Sequence, residues 1–182
     1  SVLANGWRRF LPNAVFLCPN APEVCEVNPK GFQWFNLDSE NEDTVLEKSF
    51  IAENKLSIFL DEVLKEFKLN PNNMALVGFS QGCMIGLQTV IKKKYTINCL
   101  VGYSGKIIHK NHLSQNLISK PKIFLMHGDR DLIVSPVHLL EAKDFFQEHN
   151  YKINTKLFKD CEHHIPVEGS SAGLKFLKKN LL

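Results

Sequence analysis

Short apolar runs of strand length alternate along this chain with longer segments of helical periodicity. The apolar runs are residues 14–18, 74–79, 98–103 and 122–127, and residues 153–158 alternate apolar and polar side chains as a half-buried edge strand does. Helical patterns cover residues 45–67, 82–94, 136–149 and 169–180. Strands buried on both faces and separated by helices are typical of an α/β fold, with a mostly parallel sheet flanked by helices. Functional side chains are then expected at the carboxyl ends of the strands, after residues 79, 103 and 127.

The size and composition of the chain indicate a single domain covering residues 1–182. Hydrophobic residues make up 44% of the sequence and charged residues 23%, which is ordinary for a folded domain. The net charge of +3 is too small to predict nucleic-acid binding, and the run Lys92-Lys93-Lys94 is interpreted as a solvated helix end. No apolar stretch approaches the roughly 18–20 residues of a membrane span.

Cysteine usage favours a reducing compartment. The chain has five cysteines, an odd number, without C-x-x-C spacing and in a domain large enough to fold without disulfides. We therefore predict a cytoplasmic protein. Cys161, His163 and His164 are close enough in sequence to suggest a metal site, but a fourth ligand at a sensible spacing is missing, so no metal is predicted.

The strongest chemical signal is the segment Gly78-Phe79-Ser80-Gln81-Gly82, which follows one predicted strand and opens a predicted helix. In a strand-to-helix turn this sharp, the middle residue takes a strained backbone conformation and small neighbours relieve the crowding. Ser80 is then exposed at the tip of the turn, beside N–H groups of a helix N-terminus that stabilise a developing oxyanion. The alternative is an ordinary serine that caps the helix.

A serine nucleophile needs a base and an orienting carboxylate, and the sequence supplies both in the order that this architecture requires. Asp129 and Asp131 follow the run 122–127, and His163 and His164 follow the run 153–158. The residues alone do not rank either pair. His127 ends a strand inside a predicted turn and is interpreted as structural, and Cys83 as a buried helix residue.

Several motifs together resemble the phospholipase/carboxylesterase family of α/β-hydrolases, which includes acyl-protein thioesterases. They are Pro19-Asn20-Ala21-Pro22, the segment from Gly31 to Trp34-Phe35, GFSQG, HGDRD and the final histidine pair. The resemblance implies an α/β-hydrolase fold with Ser80 as nucleophile, Asp131 as the acid and His163 as the base. It also implies that Gln81 supplies a backbone N–H to the oxyanion hole, that Trp34 is a candidate wall of the acyl pocket, and that no cofactor takes part.

The sequence departs from the pattern of this family at the N-terminus of the chain. The family opens with a strand ending in an H-G-x-G loop, one of whose N–H groups completes the oxyanion hole, and the sequence from Ser1 contains neither. Loss of one such donor lowers the rate by roughly a hundred- to a thousandfold. We expect the natural protein to carry about 25–45 further N-terminal residues that include them.

Two functional hypotheses follow from the resemblance and the departure. The first is a serine hydrolase that cleaves carboxylic esters or thioesters through an acyl-enzyme. The resemblance implies small-molecule or lipid acyl esters as substrates, with medium to long acyl chains, and acylated proteins. The alternative is a degenerate hydrolase that acts as a non-catalytic binding protein, and the presence of all three triad residues argues against it.

Overall fold

The computed structural model describes residues 1–26, 28–36 and 42–181. A short antiparallel ribbon of β1 (Glu23–Val24) and β2 (Phe32–Gln33) precedes the main sheet. The main sheet is parallel and its strands are β3 (Ala75–Phe79), β4 (Cys99–Tyr103), β5 (Lys122–Gly128) and β6 (Ile153–Phe158), in that spatial order. The helices are α1 (Val2–Trp7), α2 (Glu42–Glu66), α3 (Gln81–Ile91), α4 (Lys110–Ser114), α5 (Val137–Glu148) and α6 (Val167–Leu181).

Side chains on the two faces of the sheet form two apolar clusters. Leu100 of β4 packs into a cluster with side chains of α2, α3 and α5, whereas its neighbours Cys99 and Val101 face a cluster that includes Trp7 and Leu177. Alternate residues of a strand point to opposite faces, so helices cover the sheet on both sides. The predicted α/β fold is therefore confirmed. None of the helices in the described ranges combines the length and the hydropathy that a membrane span requires.

Four of the five predicted strands are present, with β6 at one edge of the sheet as its alternating pattern predicted. The strand predicted at residues 14–18 is wrong, because this segment has no regular secondary structure. Val15 is 66% exposed and Leu17 is 45% exposed. An apolar run forms a strand only where a neighbouring strand completes its backbone hydrogen bonds, and none of the strands described pairs with this segment.

The predicted burial of β3 on both faces is also corrected. β3 lies at the other edge of the sheet, opposite β6, and pairs with β4 alone among the strands described. Val77 and Phe79 are each more than one-third exposed as a consequence. β4 lies inside the sheet and is buried throughout, as its continuous apolar sequence predicted.

The lysine run after α3 is not the solvated helix end that the sequence suggested. The helix ends at Ile91, and Lys93 is buried. Its ammonium donates to the Ser57 carbonyl and hydroxyl at 3.1 and 2.8 Å and to the Asp61 carboxylate at 2.6 Å. A buried charge requires such partners, so Lys93 contributes to the packing of α3 against α2.

Candidate active site

The carboxyl ends of β3, β5 and β6 lead into the loops that carry the predicted site residues. Ser80 follows β3 directly, Asp131 lies three residues after β5, and His163 lies five residues after β6. The end of β4 was also expected to carry chemistry. The residue there is Ser104, which is buried and whose N–H donates to the Met126 carbonyl at 2.9 Å. Ser104 thus links two strand ends, and the three other ends surround the site.

The turn between β3 and α3 holds Ser80 in an unusual conformation. Ser80 has φ 52° and ψ −121°, a left-handed φ that residues other than glycine rarely adopt. Its N–H donates to the Tyr103 carbonyl at 2.9 Å, and its own carbonyl accepts from the Cys83 N–H at 3.0 Å. A Cβ atom at Gly78 would lie 2.5 Å from the Gly82 carbonyl carbon. The close approach of strand and helix therefore requires the first glycine of the motif.

Ser80, His163 and Asp131 form a continuous hydrogen-bonded chain. His163 Nε2 lies 3.1 Å from Ser80 Oγ, and His163 Nδ1 lies 2.8 Å from Asp131 Oδ2. The carboxylate is an acceptor, so it fixes the imidazole proton on Nδ1 and leaves the Nε2 lone pair facing the serine hydroxyl. The Phe79 ring packs against the imidazole with ring centroids 4.8 Å apart. This is the arrangement that a general base requires.

The carboxylate of Asp131 is buried but well supplied with donors. Its Oδ1 accepts the N–H groups of Ile133 and Val134 at 3.0 and 2.9 Å, in the manner of an Asx turn. Burial raises the pKa of Asp131, but the Val134 N–H, His163 and the Ile133 N–H together lower it by more. The net pKa lies below its usual value, so the group is a carboxylate at neutral pH.

Asp129 and His164, the other members of the two candidate pairs, do not take part in this hydrogen-bonded chain. Asp129 is exposed, and its Oδ1 accepts the Cys161 N–H at 3.3 Å, which links the loops after β5 and β6. His164 is exposed, with Nε2 3.8 Å from the Cys161 sulfur. Asp131 and His163 are thus the members that contact each other, and His163 also contacts Ser80. Within the described parts of the chain, no group of three or more His, Cys, Asp or Glu residues is placed to hold a metal ion.

A cleft of about 630 Å³ opens beside Ser80. Trp34, the predicted wall residue, lines it together with the aromatic rings of Phe32 and Phe79. The Trp34 indole lies beside Gly82, since a Cβ atom added there would be 3.7 Å from the indole nitrogen. Polar residues such as Asn20 and Glu26 line the cleft as well, so the part suited to an acyl chain is the aromatic surface beside the nucleophile.

Gln81 connects the nucleophile turn to this cleft, a contact that the sequence reasoning missed. As the first residue of α3, Gln81 has a backbone N–H without an intrahelical acceptor. Its side-chain Oε1 accepts the Trp34 N–H at 3.0 Å, and its Nε2 donates to the Phe35 carbonyl at 2.9 Å. The side chain therefore fixes the wall of the cleft relative to Ser80.

Cys83, three residues after Ser80, is fully buried in α3, as the sequence predicted. Burial raises the pKa of its thiol to about 12, against a smaller lowering by a backbone hydrogen bond at Tyr103. Because only the thiolate is a good nucleophile, Cys83 does not compete with Ser80.

The phospholipase/carboxylesterase family model matches residues 3–181. The chain belongs to this family. It is 26% identical over 179 residues to acyl-protein thioesterase 1 of Kluyveromyces lactis and 29% identical over 181 residues to that of Saccharomyces cerevisiae, with 91% of this chain and 78% of each relative covered. The crystal structure of esterase PE8 covers 99% of this chain and 85% of its own, with 30% identity and a TM-score of 0.93. This member of the phospholipase/carboxylesterase family is an ester hydrolase.

Proposed function

We propose that this hydrolase cleaves carboxylic esters and thioesters through an acyl-enzyme formed on Ser80. The observation that carries the proposal is the hydrogen-bonded chain from Ser80 Oγ through His163 to Asp131, with distances of 3.1 and 2.8 Å. Ser80 stands on a strained turn at a strand end, beside a cleft that is partly lined by aromatic side chains. A serine hydroxyl is unreactive at neutral pH, and this chain provides the base that it needs.

In the first half of the reaction, His163 Nε2 takes the Ser80 proton as Oγ attacks the substrate carbonyl. Asp131 holds the imidazole in the required tautomer and stabilises the imidazolium that forms, without itself accepting the proton. His163 then gives the proton to the departing alcohol or thiol. In the second half His163 takes a proton from the water molecule that attacks the acyl group. His163 then returns this proton to Ser80 Oγ as the carboxylic acid leaves.

The negative charge that develops on the substrate oxygen is stabilised by the Gln81 N–H. This group lies at the N-terminus of α3, where the helix dipole is also favourable to an anion. The reaction as proposed uses no metal ion or organic cofactor.

Acyl esters and thioesters with medium to long chains are the proposed substrate class. The aromatic side chains of the cleft support it, and the similar yeast proteins are acyl-protein thioesterases, so acylated proteins are included together with small-molecule and lipid esters. All five cysteines are free thiols, which supports our proposal of a cytoplasmic protein.

A fluorophosphonate probe followed by peptide mass spectrometry tests the proposal. We expect the label on Ser80, together with hydrolysis of p-nitrophenyl esters and of an acyl thioester. Ser80→Ala is expected to abolish both labelling and turnover. The matched control is Ser104→Ala, which changes a serine at the end of the neighbouring strand with a similar φ of 48° and is expected to keep both. A folded wild-type chain that neither labels nor hydrolyses would instead support the non-catalytic binding protein.

A further inference from the structure

His127 occupies a buried position behind the acid of the proposed triad. It lies near the end of β5, four residues before Asp131, and is only 2% exposed. Its Nε2 is 2.8 Å from the Val134 carbonyl oxygen and 3.2 Å from Asp131 Oδ2. The ring therefore contacts both ends of the turn that carries the acid.

The surroundings of Nε2 determine the state of this ring. The Val134 carbonyl and the Asp131 carboxylate are both acceptors, so Nε2 must carry the proton. Burial lowers the pKa of His127 by more than the Val134 carbonyl and Asp131 raise it, and nearby His163 lowers it further. At neutral pH, His127 is thus a neutral Nε2–H donor that faces two acceptors.

The hydrogen bonds around Asp131 divide its two oxygens between different tasks. Oδ1 accepts the N–H groups of Ile133 and Val134, so rotation of the carboxylate is coupled to the position of this turn. The carbonyl of the same Val134 accepts from His127, which ties the turn to β5. Oδ2 lies 2.8 Å from His163 Nδ1 and 3.2 Å from His127 Nε2, so both histidines face the same oxygen.

We propose that His127 is a positioning residue of the hydrolysis, whose Nε2–H holds the Asp131–Val134 turn and keeps Asp131 Oδ2 on His163. The inference rests on the proposed role of the Ser80, His163 and Asp131 chain. When the turn is released, the carboxylate loses its fixed direction, and His163 populates the tautomer with Nε2 protonated, which cannot accept the serine proton.

The test compares replacements of His127 that keep or remove the donor. His127→Gln places an amide nitrogen close to the position of Nε2, whereas His127→Met fills similar space without a donor. We expect His127→Met to lower kcat on p-nitrophenyl butyrate by about 10- to 100-fold with little change in KM, as for loss of a hydrogen bond to a charged group. His127→Gln is expected to recover kcat to within about threefold of the wild type.

A double-mutant cycle separates positioning from packing. The rate constant for labelling of Ser80 by the fluorophosphonate probe is measured for His127→Met in the wild-type background and in Asp131→Ala. If His127 acts through Asp131, the substitution has almost no further effect once the carboxylate is absent. If the same loss occurs in both backgrounds, or if His127→Met keeps the wild-type kcat, the proposal is wrong.

Two controls keep the result interpretable. If His127→Met does not fold, as judged by thermal melting, His127→Asn replaces it, because the shorter amide stops before the Nε2 position, and the same loss is expected. Failure of the proposed function is recognised separately, since wild-type protein would then show no label on Ser80. Labelled and active wild-type protein with an insensitive His127 would overturn this inference alone.

Discussion

The two glycines around Ser80 are expected to respond in opposite ways to the same substitution. A Cβ atom at Gly78 would lie 2.5 Å from the carbonyl carbon and oxygen of Gly82 and 2.6 Å from the Cys83 nitrogen, all of them backbone atoms. At Gly82, the nearest atom to an added Cβ is the Trp34 indole nitrogen, at an ordinary contact distance of 3.7 Å. An added methyl group therefore clashes with backbone atoms at Gly78 but makes only an ordinary van der Waals contact at Gly82.

The magnitudes follow from these distances. To restore ordinary contact in Gly78→Ala, the first turn of α3 must move away from β3 by about 0.9 Å. Overpacking of this kind destabilises by about 1–3 kcal/mol, and for a chain of this size that lowers Tm by roughly 2–12 °C. A displacement near 1 Å at a reacting atom reduces the rate by about a hundredfold. Gly82→Ala lies in a helix, where alanine is favoured over glycine by up to about 1 kcal/mol, so its stability is expected to be equal or higher.

Urea unfolding followed by circular dichroism gives the free energy of unfolding of each variant, and p-nitrophenyl butyrate hydrolysis gives kcat. Equal destabilisation of the two variants would refute the reasoning, because it would show that helix and strand do not approach each other most closely at Gly78. A Gly78→Ala variant with wild-type stability and kcat would refute it as well.

Three further predictions concern the acid and the cleft. Asp131→Asn is expected to lower kcat by about 10⁴, because the imidazole takes the wrong tautomer. Asp129→Asn removes only the charge of an exposed carboxylate and is expected to lower kcat much less. Steady-state kinetics on one ester compares the two variants. Because folding lowers the pKa of Asp131, its carboxylate contributes stability that is fully present above the unfolded value of about 3.9 and is lost as the pH falls through the lower folded value. Urea unfolding of wild type and Asp131→Asn should therefore converge at acid pH, and a constant difference would contradict this. Gln81→Glu replaces the donor to the Phe35 carbonyl with an acceptor, so the KM for p-nitrophenyl octanoate should rise more than that for the acetate.

The structure brings Ser80, Asp131 and His163 together because their arrangement depends on topology rather than on fine packing. Parallel strands bring their carboxyl ends to one edge of the sheet, so residues that follow β3, β5 and β6 lie near one another. The order of Ser80, Asp131 and His163 along the chain was therefore informative. The choice of Asp131 over Asp129 required the family resemblance, since spacing alone places both in the same turn.

The features that the sequence did not reveal depend on distant partners. The apolar run at 14–18 does not itself show whether another strand lies beside it. Lys93 can be buried because Ser57 and Asp61 of α2 accept hydrogen bonds from its ammonium group. The contact of Gln81 with the Trp34 segment joins residues 47 positions apart. The only local indication of the role of His127 is that it lies four residues before Asp131. The turn that brings the Val134 carbonyl onto the His127 ring was not predictable from this spacing.

The contact between His163 and Ser80 spans 83 positions of the chain, and that between His163 and Asp131 spans 32. Contacts of such long range form late in folding, because the intervening chain must first be ordered. Ester hydrolysis is therefore a reporter of the complete native state rather than of compactness or helix content. Local opening of β6, the edge strand that leads to His163, removes the base while the other three strands remain paired. During mild denaturation, activity should accordingly be lost before the circular dichroism signal, and on refolding it should be the last property to return.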